Sequence, residues 1–516
     1  MASAALPFPA APAKPVNAAL VTWVVMLASF ITVLDSTIAN VALPHMAASL
    51  GAASDTVTWV LTSYIVAAAI ATPLTAWLGG KVGRKQLFAL AVGGFTGASV
   101  LCGLAQSLDQ MVFFRLLQGA SGAFLIPLGQ AFLLDAYPKE KHGQAMALWG
   151  VGIMVGPVMG PVLGGWLTDN FEWRWVFFVN LPFGLLALFG ALTVLPSTVD
   201  VRRRFDAFGF VALGVALGAF QLMLDRGQQL DWFASREVVL EAATAIGGFW
   251  IFGVHIATAR EPILPLALLR DRNIVTGFAF IFLVGMLQVA TSALLPPMLE
   301  QLYGYPVVTA GLTMAPRGVG TMAGMLIVGR LIGKVDARVM MLFGMILVSG
   351  SMAAMTGFSP VMGSGPFLWT GLIQGFGIGF LFVPLNTLAF ATVSPMLRTE
   401  ASSFYSLLRN LGGAVGVSLS VGIIARQSQI AHADLGGAVS PFSVPGADPN
   451  LARALGATGD TVLALLDRAV NGQAAMIAYL DDFTLMMWLS IIATPLIVLL
   501  RPPKQVVVDP AHAVME

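Results

Sequence analysis

Long apolar runs separated by short polar breaks recur along the whole chain. Most are about 20 residues or longer, which is the length that an α-helix needs to cross roughly 30 Å of hydrocarbon. We therefore expect an all-α membrane protein rather than a soluble domain folded around one core. The breaks predict fourteen transmembrane helices near residues 18–41, 57–78, 86–106, 111–134, 144–168, 174–196, 206–225, 236–258, 274–299, 308–331, 339–358, 367–392, 400–425 and 480–500.

The Lys and Arg residues of the connecting segments are distributed unevenly between the two sides of the membrane. If the N-terminus is cytoplasmic, 18 of them fall on the cytoplasmic side and 6 on the opposite side. This asymmetry follows the positive-inside rule, so it supports an even number of spans with both termini in the cytoplasm. The first 16 residues lack a small-residue cleavage site before a soluble domain, and we expect the first span to remain as an uncleaved anchor.

Two segments recur in the second half of the chain. GKVGRK at 80–85 matches GKVDAR at 333–338 with an offset of 253, and LLQGASGAFLIP at 116–127 resembles LIQGFGIGFLFVP at 372–384 with an offset near 256. Eight predicted spans separate equivalent positions, so both copies have the same orientation. Two six-helix bundles should therefore flank two inserted helices, with the substrate path at the interface between the bundles.

The predicted spans and the repeat divide the chain into five regions. They are a cytoplasmic tail at 1–17, an N-terminal six-helix bundle at 18–200, a two-helix insertion at 201–272, a C-terminal six-helix bundle at 273–502 and a second cytoplasmic tail at 503–516. The C-terminal bundle includes an outer segment, 426–479, rich in Ala, Gly and Pro, which we expect to be a solvated loop. The alternative is a docking surface for a partner, and NLARALGATGDTVLALLDRAV could form one or two short amphipathic helices.

Composition narrows the function further. Hydrophobic residues make up 57% and charged residues 10% of the chain, and a net charge of +1 gives no case for nucleic-acid binding. Cys102 is the single cysteine, which excludes an intramolecular disulfide. No Gly-x4-Gly-Lys-Ser/Thr loop is present, so we do not expect ATP hydrolysis. The five histidines lie at segment ends, in loops, in the tail or alone, and we expect no catalytic residue, metal or cofactor.

Asp35 is an acid near the end of the first apolar run, in the stretch ITVLDSTIANVALP. Loss of hydration favours the protonated form of a carboxyl group, so an acid inside a membrane can take up and release protons. Counted from the outer ends of their spans, Asp35 and Arg115 lie roughly 9 Å and 6 Å deep. If they face each other, helix movement is coupled to protonation. The alternative is that Asp35 caps a helix end and Arg115 snorkels to water.

Small residues form a stripe along the fifth span. Glycines four residues apart let a neighbouring helix approach closely, and prolines between them add bends at defined points. The stripe consists of Gly152, Gly156, Gly160 and Gly164, with Pro157 and Pro161 between them.

The loop GGKVGRKQ follows the second span, and Gly83, Arg84 and Lys85 predict a cytoplasmic hinge there. Its cations, together with Lys81, can meet acids or helix C-termini across the bundle. A plain positive-inside anchor is the alternative.

Arg317 in the tenth span and Arg409 in the thirteenth each lie roughly 13 Å from the side on which their helix enters. Few acids are available to pair with these two arginines, and unpaired cations favour an anionic substrate. We therefore predict lipophilic weak acids among the substrates; snorkelling or bonding to backbone carbonyls is the alternative. Gln118 and Gln374, within the repeated segments, are further candidate substrate residues.

Several motifs together resemble the major facilitator superfamily, and more narrowly its fourteen-span drug:proton antiporters. They are LDSTIANVALP, GGKVGRKQLF, RLLQGASGAFLIP, GVGIMVGPVMGPVLGG and WRWVFFVNLPFG. The segments MLDRGQQLDWF, RDRN and YGYP look like the branch typified by bacterial multidrug efflux pumps of the EmrB type. The similarity runs from about residue 17 to residue 502.

The resemblance implies proton-coupled efflux of hydrophobic or amphiphilic compounds, with a functional acid at Asp35 and a basic partner at Arg115. The Gly-Pro pattern of the fifth span resembles the antiporter signature, which implies efflux rather than uptake. The EmrB branch further implies a periplasmic adaptor and an outer-membrane channel, with this chain as the pump in the bacterial inner membrane. This chain has Gly80 where the wider family has an aspartate, so the resemblance does not imply a gating salt bridge from that position.

Other functions remain open on the residues alone. Export of an endogenous metabolite, such as a siderophore, fatty acid or antibiotic, fits the same architecture. A membrane-embedded hydrolase would need a nucleophile, a base and an orienting group at one depth, and the histidines do not supply them. A passive channel is the third alternative, and the duplicated antiporter motifs argue against it.

Overall fold

The structure is a computed structural model that describes residues 17–53, 56–197, 204–439, 450, 453 and 456–501. Within these ranges, 13 helices are long and apolar enough to cross a membrane. They are α1 Ala18–Leu50, α2 Trp59–Val82, α3 Arg84–Leu104, α4 Leu108–Ala136, α5 Lys139–Asn170, α6 Trp175–Val194, α7 Ala207–Arg226, α8 Arg236–Thr258, α9 Arg272–Gln301, α11 Ala337–Met355, α12 Gly365–Phe390, α13 Pro395–Ala438 and α14 Thr458–Leu499.

A further helix, α10, spans Val307–Leu331 and packs against α5 and α12. Its 25 residues are long enough to cross the membrane, but Arg317, Pro316 and five glycines make it less apolar than the others. With α10, the described part of the chain has the fourteen membrane helices predicted from the sequence. The helices alternate in direction. We call the side on which α1 begins the basic face, because Arg84, Lys141 and Arg398 lie there, and we call the opposite side the far face.

The same helix pairs recur in the two halves. In the N-terminal bundle α1 packs on α5, α2 on α4 and α3 on both α4 and α6. In the C-terminal bundle α9 packs on α13, α10 on α12 and α11 on both α12 and α14. Each pair in the second half lies eight helices after its counterpart, so the architecture is that of two six-helix bundles with two inserted helices, as predicted.

The inserted helices α7 and α8 pack on each other, and α7 also contacts α2 and α13. Asp206 fastens their ends at the basic face, because its carboxylate accepts hydrogen bonds from the Gly209 amide at 2.8 Å and from His255 Nε2 at 2.8 Å. The outward side of α8 is exposed, with Trp250 at 74%. Large apolar side chains in that position indicate contact with lipid.

The prediction of a solvated loop over residues 426–479 is wrong for most of this segment. Its first part continues the 41-residue helix Arg398–Ala438, and residues from Ala457 onward belong to the 37-residue helix Ala457–Ala493. A helix of 41 residues is about 61 Å long, about twice the thickness of the hydrocarbon layer, so α13 extends beyond the membrane. Hydropathy alone does not separate such a solvated helix from a loop.

Other predictions for this region fall partly outside the described residues. The alternative, in which NLARALGATGDTVLALLDRAV forms one or two short helices of its own, does not hold for its described part from Ala457, which belongs to α14. The tails at 1–16 and 502–516, and residues 440–449, 451–452 and 454–455 of the outer segment, lie outside the described part of the chain.

Candidate proton and substrate sites

Asp35 is fully buried on α1, and three polar side chains hold its carboxylate. Arg115 Nη1 of α4 donates to Oδ2 at 2.6 Å, while Gln118 Nε2 and Asn180 Nδ2 donate to Oδ1 at 2.7 Å and 2.9 Å. The Gln118 amide oxygen also accepts from Arg115 Nη1 at 2.8 Å. Helices α1, α4 and α6 therefore meet at one charged cluster inside the N-terminal bundle.

Arg115 is buried as completely as Asp35. Its Nε donates to the Val60 carbonyl oxygen at 2.9 Å, and its guanidinium carbon lies 4.3 Å from the centre of the Tyr64 ring and 5.7 Å from that of Phe177. The arginine thus does not snorkel to water, and Asp35 lies within α1 rather than at its end. A buried pair of this kind is stable while both members are charged, so protonation of the acid weakens the contact between α1 and α4.

Two members of this cluster, Gln118 and Asn180, make contacts that the sequence alone did not predict. Gln118 was a candidate substrate residue, but its amide contacts Asp35 and Arg115, and the side chain is fully buried. Asn180 was missed, although it is a single strongly polar residue between Val179 and Leu181 in an apolar run. Isolated amides inside predicted spans are the signal that would have identified it, because a buried amide needs a partner.

The glycine stripe of α5 faces α1. A Cβ atom added at Gly156 would lie 3.1 Å from the Leu34 amide nitrogen, and one at Gly164 would lie 3.0 Å from Ile38 Cγ1. Added Cβ atoms would overlap Met26 at Gly152 and Thr37 at Gly160. The stripe therefore lets α5 pack closely against the turns of α1 on both sides of Asp35.

The opposite face of α5 packs on α10 of the other bundle. A Cβ atom at Gly311 would lie 3.2 Å from Pro161, and one at Gly318 would overlap the side chain of Val158. Pro157, the other proline of the motif, is inside the same helix. Because α5 touches α1 on one side and α10 on the other, it joins the Asp35 cluster to the helix that carries Arg317.

Arg317 is 7% exposed and donates to neutral oxygens of α9, the hydroxyl of Ser292 at 3.0 Å and the carbonyl of Gln288 at 3.0 Å. Among the described residues, no acid forms an ion pair with it. Arg409 is half-buried on α13, where its backbone packs on Gly285 of α9. Both arginines thus lie on helices that pack against α9.

Gln374 is fully buried on α12. Its Nε2 lies 3.5 Å from Thr291 Oγ1, and its Oε1 has no hydrogen-bond partner within the described residues. A buried acceptor without a donor is costly, and the described residues supply no donor to this oxygen.

The predicted hinge lies at the basic face. Gly83 has φ +97°, a conformation that favours glycine, and a Cβ atom there would overlap the side chain of Gln86. Arg84 Nη1 pairs with Asp135 Oδ2 at 2.7 Å, at the end of α4. Lys85 is half-buried beside it, and Lys81 lies with its Nζ 5.0 Å from the centre of the Trp77 ring.

Asp135 also connects the two bundles. Arg398 Nη1 at the start of α13 donates to Asp135 Oδ1 at 2.6 Å and to the Leu134 carbonyl at 2.8 Å. One acid therefore binds one arginine of each bundle, although Gly80 removes the aspartate that the wider family pattern has in this loop. Sequence reasoning missed both Asp135 and Arg398, because their pairing depends on the docking of the bundles.

A buried polar layer lies next to this ion-pair cluster. Gln130 Nε2 of α4 donates to Asn386 Oδ1 of α12 at 2.7 Å, and Ser402 Oγ of α13 donates to Gln130 Oε1 at 2.8 Å. All three side chains are at most 2% exposed. Together with Asp135, they fasten the bundles to each other at the basic face.

Comparisons with known proteins agree with this architecture. The model of the Major Facilitator Superfamily matches residues 25–417. The multidrug export protein EmrB of Escherichia coli K12 is 36% identical over 95% of this chain and 97% of its own length. The fatty acid resistance protein FarB of Neisseria gonorrhoeae is 36% identical over 95% of this chain and 98% of its own. The crystal structure of the human organic anion transporter MFSD10 covers 92% of this chain and 99% of that one with a TM-score of 0.58 and 16% identity, a likeness of fold alone.

A duplicated bundle of membrane helices with a buried ion pair defines a secondary transporter of small molecules. The chain belongs to the major facilitator superfamily, in which it is a multi-pass membrane transporter of the EmrB type that acts in multidrug efflux.

Proposed function

We propose that this transporter expels hydrophobic and amphiphilic compounds in exchange for protons, and that Asp35 is the coupling acid. The Asp35 carboxylate, fully buried and bound to Arg115 at 2.6 Å, is the observation that carries the proposal. Burying an ion pair in a membrane costs free energy, and intramembrane charges are therefore usually functional. Protonation of the acid is the simplest way to separate the pair.

Coupling then follows from the contacts of α1. Protonation of Asp35 removes its attraction to Arg115, so α1 can shift relative to α4. Because the glycine stripe Gly152, Gly156, Gly160 and Gly164 packs on α1, and because α5 contacts α10, a shift of α1 displaces the helix that carries Arg317. The proton and the substrate are thereby linked through one helix, with Pro157 and Pro161 as its points of bending.

Arg317 supports lipophilic weak acids as one class of substrate. Its guanidinium is nearly buried and bound only to neutral oxygens, so an anionic group can replace the Gln288 carbonyl or the Ser292 hydroxyl as its partner. Arg409, also on a helix packed against α9, adds a second positive charge. Gln374 Oε1, which has no hydrogen-bond partner among the described residues, adds an acceptor. We expect apolar side chains to contact the rest of the molecule.

Export of a fatty acid is a second candidate function. It is favoured by the unpaired Arg317, since a fatty acid is a lipophilic carboxylate, and by the similarity to FarB, which is named as a fatty acid resistance protein. Other endogenous metabolites, such as a siderophore or an antibiotic, fit the same function.

We place the protein in the bacterial inner membrane with the basic face, and both termini, in the cytoplasm. In the described state, Arg84, Asp135 and Arg398 then close the cytoplasmic side, with Gly83 as the turn that orients Arg84 and Lys85 beside it. The parts of α13 and α14 beyond the far face support contact with a periplasmic adaptor, because they extend past the membrane. An outer-membrane channel would complete a tripartite exporter.

The decisive experiment is transport in proteoliposomes with an imposed pH gradient. Proton movement is followed after addition of a lipophilic weak acid or dye, and substrate binding is measured separately by equilibrium fluorescence. We expect substrate-evoked proton flux in the parent protein and its loss in Asp35→Asn, which still binds substrate.

Asp109→Asn is the matched control, because Asp109 is an exposed acid in the first turn of α4 and contacts none of the cluster. Proton flux in this variant should equal that of the parent. Normal coupling in Asp35→Asn would refute the proposal.

A further inference from the structure

Asp482 is a second acid inside the membrane domain, on the last helix, α14. Its side chain is 1% exposed, and Oδ1 has no hydrogen-bond partner within the described residues. The neighbouring residues Tyr479, Phe483 and Met486 of the same helix belong to a buried apolar cluster. A carboxyl group in such surroundings has lost its hydration without a compensating set of donors.

Ser420 of α13 is the polar side chain that lies against this carboxyl group. It is 0% exposed, and its Oγ also lacks a hydrogen-bond partner of regular geometry. A carboxylate can only accept a hydrogen bond, whereas a carboxylic acid both donates and accepts. A proton on Asp482 therefore supplies the donor that lets the two groups satisfy each other.

Two of the helices packed against α14 carry no charge near Asp482. On α9 the titratable residues are Arg272 and Glu300, at its two ends, and on α11 the one such residue is Arg338, in its first turn. Neither helix can offer a cation at the level of Asp482.

The third helix, α13, and α14 itself also lack a compensating charge. The cations of α13 nearest to Ser420 in the sequence are Arg426 and Arg409, roughly 9 Å and 16 Å away along the helix axis. On α14, Tyr479 is a neutral phenol and Asp481, the adjacent acid, is exposed. Asp482 thus has no counter-ion among the described residues.

We propose that Asp482 is a second proton-binding site, located in the C-terminal bundle and separate from Asp35. It carries a proton in the described state, with the carboxylic acid paired to Ser420. Asp482 lies 17 residues before Leu499, the end of α14 at the basic face, which is about 26 Å along the helix. In a hydrocarbon layer of about 30 Å, the acid is therefore close to the far face, and its proton exchanges with that side.

Asp35 and Asp482 differ in their partners, and this difference sets their states. Asp35 receives three hydrogen bonds, one of them from a cation, which stabilise the carboxylate. Asp482 has a neutral hydroxyl alone, and a buried carboxyl group without donors favours its uncharged form. The proposal concerns proton binding, so it does not depend on the transport function of Asp35.

Infrared difference spectroscopy of the purified full-length protein tests this site directly. Spectra are recorded between pH 6 and pH 9 in the Asp35→Asn background, which removes the carboxyl group of the other site. We expect a carbonyl band of a buried carboxylic acid at pH 6 that weakens toward pH 9 and shifts in heavy water. The band should be absent after the additional change Asp482→Asn and should move in frequency after Ser420→Ala.

Asp481→Asn is the matched control, since it removes the adjacent exposed acid and should leave the band unchanged. A band that persists in Asp482→Asn would overturn the proposal, as would the absence of any such band at pH 6 in the protein with Asp482 intact. Because Asn has nearly the shape of Asp and Ala is smaller than Ser, at least one variant should fold.

Discussion

The two bundles have the same helix pairs but different chemistry at the same level. In the N-terminal bundle, Gln118 Nε2 donates to the Asp35 carboxylate at 2.7 Å. In the C-terminal bundle, Gln374 Nε2 lies 3.5 Å from the hydroxyl of Thr291. Gln374 and Thr291 lie 256 residues after Gln118 and Asp35, respectively. The residue 256 positions after Arg115 is Gly371. A charged cluster in one half is thus a neutral pair in the other.

The cation of the C-terminal bundle comes from a different helix. A Cβ atom at Gly119 would overlap the Tyr64 carbonyl, and one at Gly375 would overlap the carbonyl of Arg317. Arg317 is therefore the counterpart of Tyr64, whose ring stacks on Arg115 in the first half. Both copies thus have a close helix crossing at this position, whereas the polar residues around it differ between the two halves.

The largest effect should come from removal of one member of the charged cluster. Arg115→Ala leaves Asp35 buried without its cation, and we expect a loss of about 3–5 kcal/mol in stability together with loss of proton coupling. Thermal unfolding of the detergent-solubilised protein, followed by tryptophan fluorescence, measures the first effect. Thr291→Val, at the counterpart of Asp35, should cost less than about 1.5 kcal/mol.

The double variant Asp35→Asn, Arg115→Gln separates charge from packing. It removes both charges and keeps two polar side chains, so stability should recover most of the loss while proton coupling stays absent. Equal instability of Arg115→Ala and the double variant would show that the cluster acts through packing alone.

The helix crossings were predictable from the sequence to a greater extent than the cluster. Apolar runs, the repeat offsets and the glycine stripe each report local properties, such as length, period and side-chain size, and these predicted the bundles and the contact face of α5. The prediction failed for 426–479, because an Ala-rich helix that leaves the membrane has the hydropathy of a loop.

Alanine at the two equivalent crossings should have an intermediate effect. A Cβ atom at Gly119 or Gly375 meets a backbone carbonyl, which cannot rotate away, so each helix pair must separate. We expect each variant to lose about 1–3 kcal/mol in stability. The same thermal unfolding assay applies to both.

Gly97→Ala and Gly350→Ala are the controls, because these two residues are also related by the offset of 253 and a Cβ atom at either meets nothing within 4 Å. Both should be neutral or slightly stabilising. Unequal losses at Gly119 and Gly375 would show that the two crossings have not kept the same role.

Arg317 tests the C-terminal half of the comparison. Arg317→Gln keeps a donor but removes the charge, so transport of a lipophilic weak acid should fall about tenfold, corresponding to about 1.4 kcal/mol, while transport of a neutral compound should change little. Efflux of both from proteoliposomes measures the ratio. Arg330→Gln on the same helix is the control, since Arg330 is exposed at its end. An equal fall for both substrates would mean that Arg317 is structural.

The site itself was only partly predictable, for a physical reason. Asp35 and Arg115 were identified because a charge in an apolar run is expensive wherever it occurs. Asp135 and Arg398 were not identified, because they lie at the ends of spans, where a charge costs little free energy. Gln118 was assigned to substrate, since its spacing in the repeat does not reveal which neighbour its amide contacts.

The smallest expected effect concerns Gln130 and Asn386, the equivalent residues that touch each other across the bundles at an offset of 256. Asn386→Leu removes one hydrogen bond and leaves the Gln130 amide without its acceptor, at a cost of about 1–2 kcal/mol. Adding Gln130→Leu removes the unsatisfied group, so the double variant should be more stable than Asn386→Leu. Ser402 loses its Gln130 acceptor in the double variant but retains the Pro127 carbonyl at 3.0 Å. If the stability losses of the two single variants simply add in thermal unfolding, Gln130 and Asn386 are not coupled. The contact between these two equivalent residues then does not stabilise the docking of the bundles.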